Sequence, residues 1–144
     1  MKRILVGIDG SLESKSTADF AARLAKATGS SLTLLYVAPV PVPIGPEPYY
    51  AHGGLDEWDL AQREYAEALL REMSARCEKA GAEVETKLGW GPPAETLADT
   101  AEKENFDLVA VGHRGRGAVQ RMLLGSVADR LAQISHKPVL VCRG

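Results

Sequence analysis

A chain of 144 residues with 45% apolar and 25% charged content has the size and composition of a globular domain, and one domain over 1–144 is expected. Its formal charge of −2 argues against a protein that grips nucleic acid by bulk electrostatics. No apolar run approaches the length of a bilayer span, so no membrane partner is expected either.

The first apolar run, Arg3–Ile8, reads as a strand, and helical spacing follows from about Glu13 to Thr28. That helix has an inward stripe of Ala21, Leu24, Ala25 and Thr28, with Phe20 beside it and Gly29 as its stop. Ser31–Val37 is the second strand. A second helix is predicted from about Leu55 to Ala80, because Trp58, Tyr65, Leu69 and Met73 share one face, and Gly81 ends it. Glu83–Leu88 is the third strand. The third helix runs from about Ala94 to Asn105 behind Pro92 and Pro93, with Leu97, Ala98 and Ala101 inward. Asp107–Val111 is the fourth strand. The fourth helix opens at Ser126 and buries Val127, Leu131 and Ile134, and Pro138 returns the chain to a last strand, Pro138–Cys142.

Strands rich in Val, Ile and Leu must be covered on both faces. Alternating β and α therefore predicts an α/β, Rossmann-like open parallel sheet of five strands with helices on both faces. Right-handed crossovers leave few arrangements, and the strand order 3-2-1-4-5 is predicted. The crevice between the carboxyl ends of strands 1 and 4 is then the topological switch point, where such sheets bind ligands. Asp9 closes strand 1 and Gly112 closes strand 4, so the two stand on opposite lips of one crevice.

Two further stretches bear on that crevice. Ala38–Gly54 carries Pro39, Pro41, Pro43, Pro46 and Pro48, then Tyr49, Tyr50 and His52, and has no regular period. A loop of that length leaving the same sheet edge reads either as a flap, with Tyr49 or Tyr50 over a base, or as an ordinary surface excursion. Gly112-His113-Arg114-Gly115 lies between an apolar strand and a helix that opens on Gly125-Ser126-Val127. Glycines let backbone approach an anion, and a helix start offers unpaired N–H groups and a positive dipole end, so this layout points to phosphate binding. The basic residues of the last third, including Arg114, Arg116 and Arg121, overlap it. Asp9 before Gly10-Ser11 reads equally as a helix cap, a turn former or a ligand contact.

Val6-Gly7-Ile8-Asp9-Gly10-Ser11, Leu34–Val37, Pro93-Ala94-Glu95, Asp107–Gly112 and Pro138–Val141 together resemble a universal stress protein domain, over essentially the whole chain. The spacing G-x2-G-x9-G-[S/T], met by Gly112, Gly115, Gly125 and Ser126, is similar to the pattern of that family's ATP-binding branch. The resemblance implies ATP as ligand and a role in stress response as regulator or sensor. It implies that Gly112 and Gly115 fold against ribose and phosphates, with His113 and Arg114 between them contributing backbone. It also implies that Gly125, Ser126 and Val127 present N–H groups and a hydroxyl to the phosphates. Asp9 would stand near the ribose or a phosphate-bound Mg²⁺. Val37 would meet the adenine, and Ile8 would wall the pocket. Finally, it implies a homodimer paired through the last strand, an apolar edge in the predicted order.

No Walker loop, dinucleotide fingerprint, nucleophile elbow or metal-ligand histidine cluster occurs in the sequence, and no dedicated hydrolytic apparatus is read from it. The alternatives are a slow ATPase or nucleotidyl-transfer enzyme using the same pocket, or a module binding another nucleotide or a protein. Cys77 and Cys142 lack metal or redox spacing and read as free buried thiols. Met1–Ile4 shows no signal-peptide pattern, so a cytoplasmic location is expected.

Overall fold

A computed structural model describes residues 1–40, 54–114 and 124–143. The chain alternates β1 (Arg3–Ile8), α1 (Leu12–Thr28), β2 (Ser31–Ala38), α2 (Gly54–Lys79), β3 (Glu83–Trp90), α3 (Pro93–Lys103), β4 (Leu108–Gly112), α4 (Ser126–Ile134) and β5 (Val139–Cys142). All strand pairs are parallel and the sheet order is β3-β2-β1-β4-β5, as the sequence predicts. The proline-rich segment 41–53, with Tyr49 and Tyr50, and the segment 115–123, with Gly115, lie outside the described residues.

The strands carry buried side chains on both faces, as the near-continuous apolar runs require. Ile4, Val6 and Ile8 of β1 join Leu32, Leu34 and Tyr36 of β2 beneath α1 and α2. The alternate positions, Leu5, Leu35, Val109 and Val111, pack under α3 and α4 with Leu97, Phe106 and Leu131. Burying one such leucine stabilises the fold by roughly 2 kcal/mol.

The helix ends are set by local chemistry. The Ser11 hydroxyl accepts the N–H of Ser14 at 3.1 Å and caps α1, and Gly29 at φ 70° closes it by donating its N–H to the Ala25 carbonyl. Gly81 at φ 97° turns the chain out of α2, and Pro93 supplies the fixed φ of the first position of α3.

Three faces differ from the sequence reading. The buried stripe of α2 is Ala66, Leu69, Leu70, Met73 and Cys77, whereas Tyr65 is 40% exposed and meets the Tyr36 ring edge-on at 5.6 Å. An amphipathic tyrosine at the margin of a stripe keeps helical spacing without entering the core. In α1, Thr28, read on the apolar stripe, is exposed, and Phe20 beside that stripe is 41% exposed with the Arg23 guanidinium over its ring. In α4 the fully covered residues are Ala128 and Leu131, and Val127 and Ile134 are half-buried at the rim of that face.

Candidate functional site

The site begins with a glycine inside a strand. Gly7 points its missing side chain toward α3, where a Cβ would stand 2.8 Å from Leu97 Cδ1. Leu97 therefore packs directly on β1, and the sheet opens just beyond it. A cavity of about 300 Å³ lies there, at the carboxyl ends of β1 and β4 on the α3/α4 side. Its volume is at the lower end for small-molecule clefts.

The cavity has an apolar half and a polar half. Leu35 and Val37 of β2, Ile8, Val111, Leu97 and Pro93 form the apolar slot. Asp9, Ser11, Ser14, Arg114 and the start of α4, Gly125 to Ala128, form the polar wall. Among the residues singled out from sequence, Ile8, Asp9, Val37, Gly112, Arg114, Gly125, Ser126 and Val127 all line this one space. His113 is not among its lining residues. Its N–H donates to the Cys142 carbonyl and its carbonyl accepts the Gly125 N–H, each at 2.7 Å, so it ties β4 to β5 and to the N-cap of α4.

Three described amides flanking the loop are committed to the protein itself. His113 and Gly125 donate as just described, and the Arg114 N–H donates to the Glu13 carboxylate. Among the described residues, the first-turn amides of α4 border the cavity and have no intrahelical acceptor. Gly125, its N-cap at φ −67° and ψ 157°, has no side chain to bond them. The anion-seeking element is thus the uncapped end of α4, with the positive end of its dipole facing the cavity.

Asp9 does not cap α1, since Ser11 does. Asp9 instead accepts the Ser11 N–H at 2.9 Å through Oδ1, an Asx turn that fixes its carboxylate at the cavity mouth. Gly112 has a role the sequence reading did not assign to it. A Cβ there would lie 3.1 Å from Glu13 Cβ and 3.3 Å from the Glu13 backbone carbon, so its smallness admits the first turn of α1. Sequence reasoning missed Glu13, Gly7, Leu35 and Leu97. Only the two-residue step from Leu35 to Val37, which puts both on one face of β2, offered a signal.

The described residues hold no group of three or more His, Cys, Asp or Glu arranged for a metal. Among the described lining residues of the cavity, Asp9 is the carboxylate. No described helix is long and apolar enough to cross a membrane.

A doubly wound parallel sheet with a cleft at its switch point, half apolar and half built on a helix N-terminus, defines a Rossmann-like α/β domain with a ligand cleft. The chain belongs to the universal stress protein family, whose model matches residues 1–143. It is 30% identical over 145 residues to a universal stress protein of Methanocaldococcus jannaschii, covering 99% of this chain and 82% of that one. Universal stress protein UspA from Lactobacillus plantarum shares the fold at TM-score 0.87 and 24% identity, covering 99% and 97% of the two chains. A universal stress protein solved in complex with cAMP matches at TM-score 0.70 and 28% identity, covering 97% and 94%.

Proposed function

We propose that this protein binds an adenine nucleotide in the cleft between β1 and β4 and acts as a ligand-dependent regulator or sensor in the stress response. The observation that carries the reading is the union, in one cavity, of an apolar slot from β2 with the uncapped first turn of α4. A base suits the Leu35–Val37 slot, and phosphate oxygens suit the amides of Ser126, Val127 and Ala128. The solved relative holding cAMP supports an adenine ligand. ATP, with Mg²⁺ on its phosphates, is the proposed physiological form, on the strength of the glycine spacing. The proposed site residues are Ile8, Asp9, Val37, Gly112, Arg114, Gly125, Ser126 and Val127, with Gly115 on its sequence spacing alone. His113 is proposed to hold the loop through its backbone.

Regulation by a ligand requires different affinity for two states of the protein, so the bound form must present a changed surface to a partner. The proposed unit is a homodimer in the cytoplasm. β5 is a sheet edge with Val139, Leu140 and Val141 half-buried, which suits pairing with a second copy. Two free cysteines suit a reducing compartment.

Calorimetry with ATP, AMP and GTP tests the reading, together with mass spectrometry of any small molecule that co-purifies. Adenine-nucleotide binding, weaker for GTP, is the expected result. Failure of every adenine nucleotide to bind the apo protein overturns it. Sedimentation at micromolar concentration tests the dimer, which a monomeric mass would refute.

A further inference from the structure

One acidic side chain reaches the nucleotide cleft from behind its wall. Glu13, in the first turn of α1, is not itself among the lining residues, yet it grips Arg114, which is. One of its carboxylate oxygens accepts the Arg114 backbone N–H, and the other stands 3.4 Å from the guanidinium Nε. The contact spans 101 residues of sequence and exists because Gly112 lets α1 approach so closely. Both side chains are mostly shielded, at 21% exposure for Glu13 and 34% for Arg114, so their charges are screened less than those of a surface pair.

This pairing has an electrostatic consequence for a phosphate at the start of α4. Arg114 would attract it, but the positive charge of Arg114 is already offset by Glu13. Asp9, on the other lip, adds a further negative charge. Resting on the nucleotide reading above, we propose that Glu13 is a specificity-determining residue that limits how much phosphate charge the cleft accepts. The ligand class it selects among is adenine nucleotides of differing phosphate number. Its action is through Arg114, without contact with the base.

Two substitutions isolate charge from shape. Glu13→Gln keeps an acceptor for the Arg114 N–H and nearly the same volume, and removes one negative charge from beside the cleft. Arg114→Gln does the converse and leaves Glu13 unbalanced. ATP carries about two more negative charges than AMP at neutral pH, so it feels either change more strongly. Calorimetry with AMP, ADP and ATP in chelator, at low and high salt, gives the readout. Glu13→Gln is expected to raise the ATP-to-AMP affinity ratio by about three- to tenfold, and Arg114→Gln to lower it, both effects shrinking with salt. A ratio unchanged in both variants, or moved in the same direction by both, overturns the proposal and leaves Glu13 a structural strut. If the wild-type protein binds none of the three nucleotides, the nucleotide reading itself fails. A bound wild-type protein with charge-independent selectivity sinks this inference alone.

Discussion

Gly10 and Tyr65 stand in direct opposition on the α1–α2 side of the sheet: a Cβ on Gly10 would lie 2.5 Å from the Tyr65 hydroxyl oxygen. Gly10 also has φ +85°, a conformation that L side chains rarely adopt. It follows Asp9 within the Asx turn, so the backbone that presents the Asp9 carboxylate is wedged in place by a residue of the second helix.

Gly10→Ala should therefore cost stability twice, once through the left-handed backbone and once through the clash. The expected sum is about 2–4 kcal/mol. In a Tyr65→Ala background the clash is gone and only the backbone part, about 1–2 kcal/mol, should remain. Urea denaturation of the four proteins measures both parts. Equal costs in the two backgrounds would show that Tyr65 does not press on the turn.

That wedge also marks how far the sequence could be read. The strands were legible because Ile4–Ile8, Leu32–Tyr36 and Val109–Val111 are too apolar for anything but a doubly covered sheet. Crossover handedness narrowed the order to a few arrangements, and the cleft followed from the order predicted among them. The cleft residues Asp9 and Gly112 were legible because each closes a strand on the same edge. Tyr65 was placed on one face with Leu69 and Met73, and helical spacing locates the buried stripe only to within its margin. The Gly112–Glu13 and Gly7–Leu97 contacts carry no local signal at all. A glycine that exists to admit a distant side chain looks, in sequence, like one that turns the chain.

Acid should weaken the fold through two tethered carboxylates. Asp107 accepts the backbone N–H groups of Lys2 and Arg3 at 2.8 and 2.9 Å, and these bonds hold its pKa below the ordinary 3.8. Asp19 is held low chiefly by its hydrogen bonds to the Arg76 guanidinium, at 2.6 and 2.7 Å. A carboxylate whose folded pKa is depressed contributes stability that is present above its unfolded pKa. That contribution is lost as pH falls through the folded value. Asp107→Asn should thus destabilise the protein more at pH 7 than at pH 3, by chemical denaturation at each pH. An effect of equal size at both would refute the linkage.

The thiols should be inert in the native state. Burial pushes the Cys77 thiol up to about 11, with the nearby Asp19 charge adding to it. Burial also raises Cys142, opposed by its hydrogen bond with Thr17. Thiolate is the reactive species, so alkylation at pH 8 should be slow for the folded protein and reach both cysteines in denaturant. Because the folded thiol ionises later than the unfolded one, its stabilising contribution should fade between about pH 9 and pH 11. Rapid native labelling of Cys77, mapped by peptide mass, would show that the α1–α2 core opens readily.

The uncapped start of α4 makes opposite demands on stability and binding. Gly125 has φ −67° and ψ 157°, an extended conformation open to any residue, so its place at the N-cap is not dictated by backbone strain. Aspartate is among the best N-caps, and its carboxylate accepts the first-turn amides and complements the dipole. Those are the amides assigned to ligand phosphates. Gly125→Asp should accordingly stabilise the fold by roughly a few tenths of a kcal/mol while abolishing nucleotide binding, read by thermal melting and calorimetry on the same sample. A variant that still binds nucleotide at wild-type affinity would place the phosphates elsewhere. A variant that loses both stability and binding would show that Gly125 is required for packing against the His113 carbonyl, to which its N–H donates.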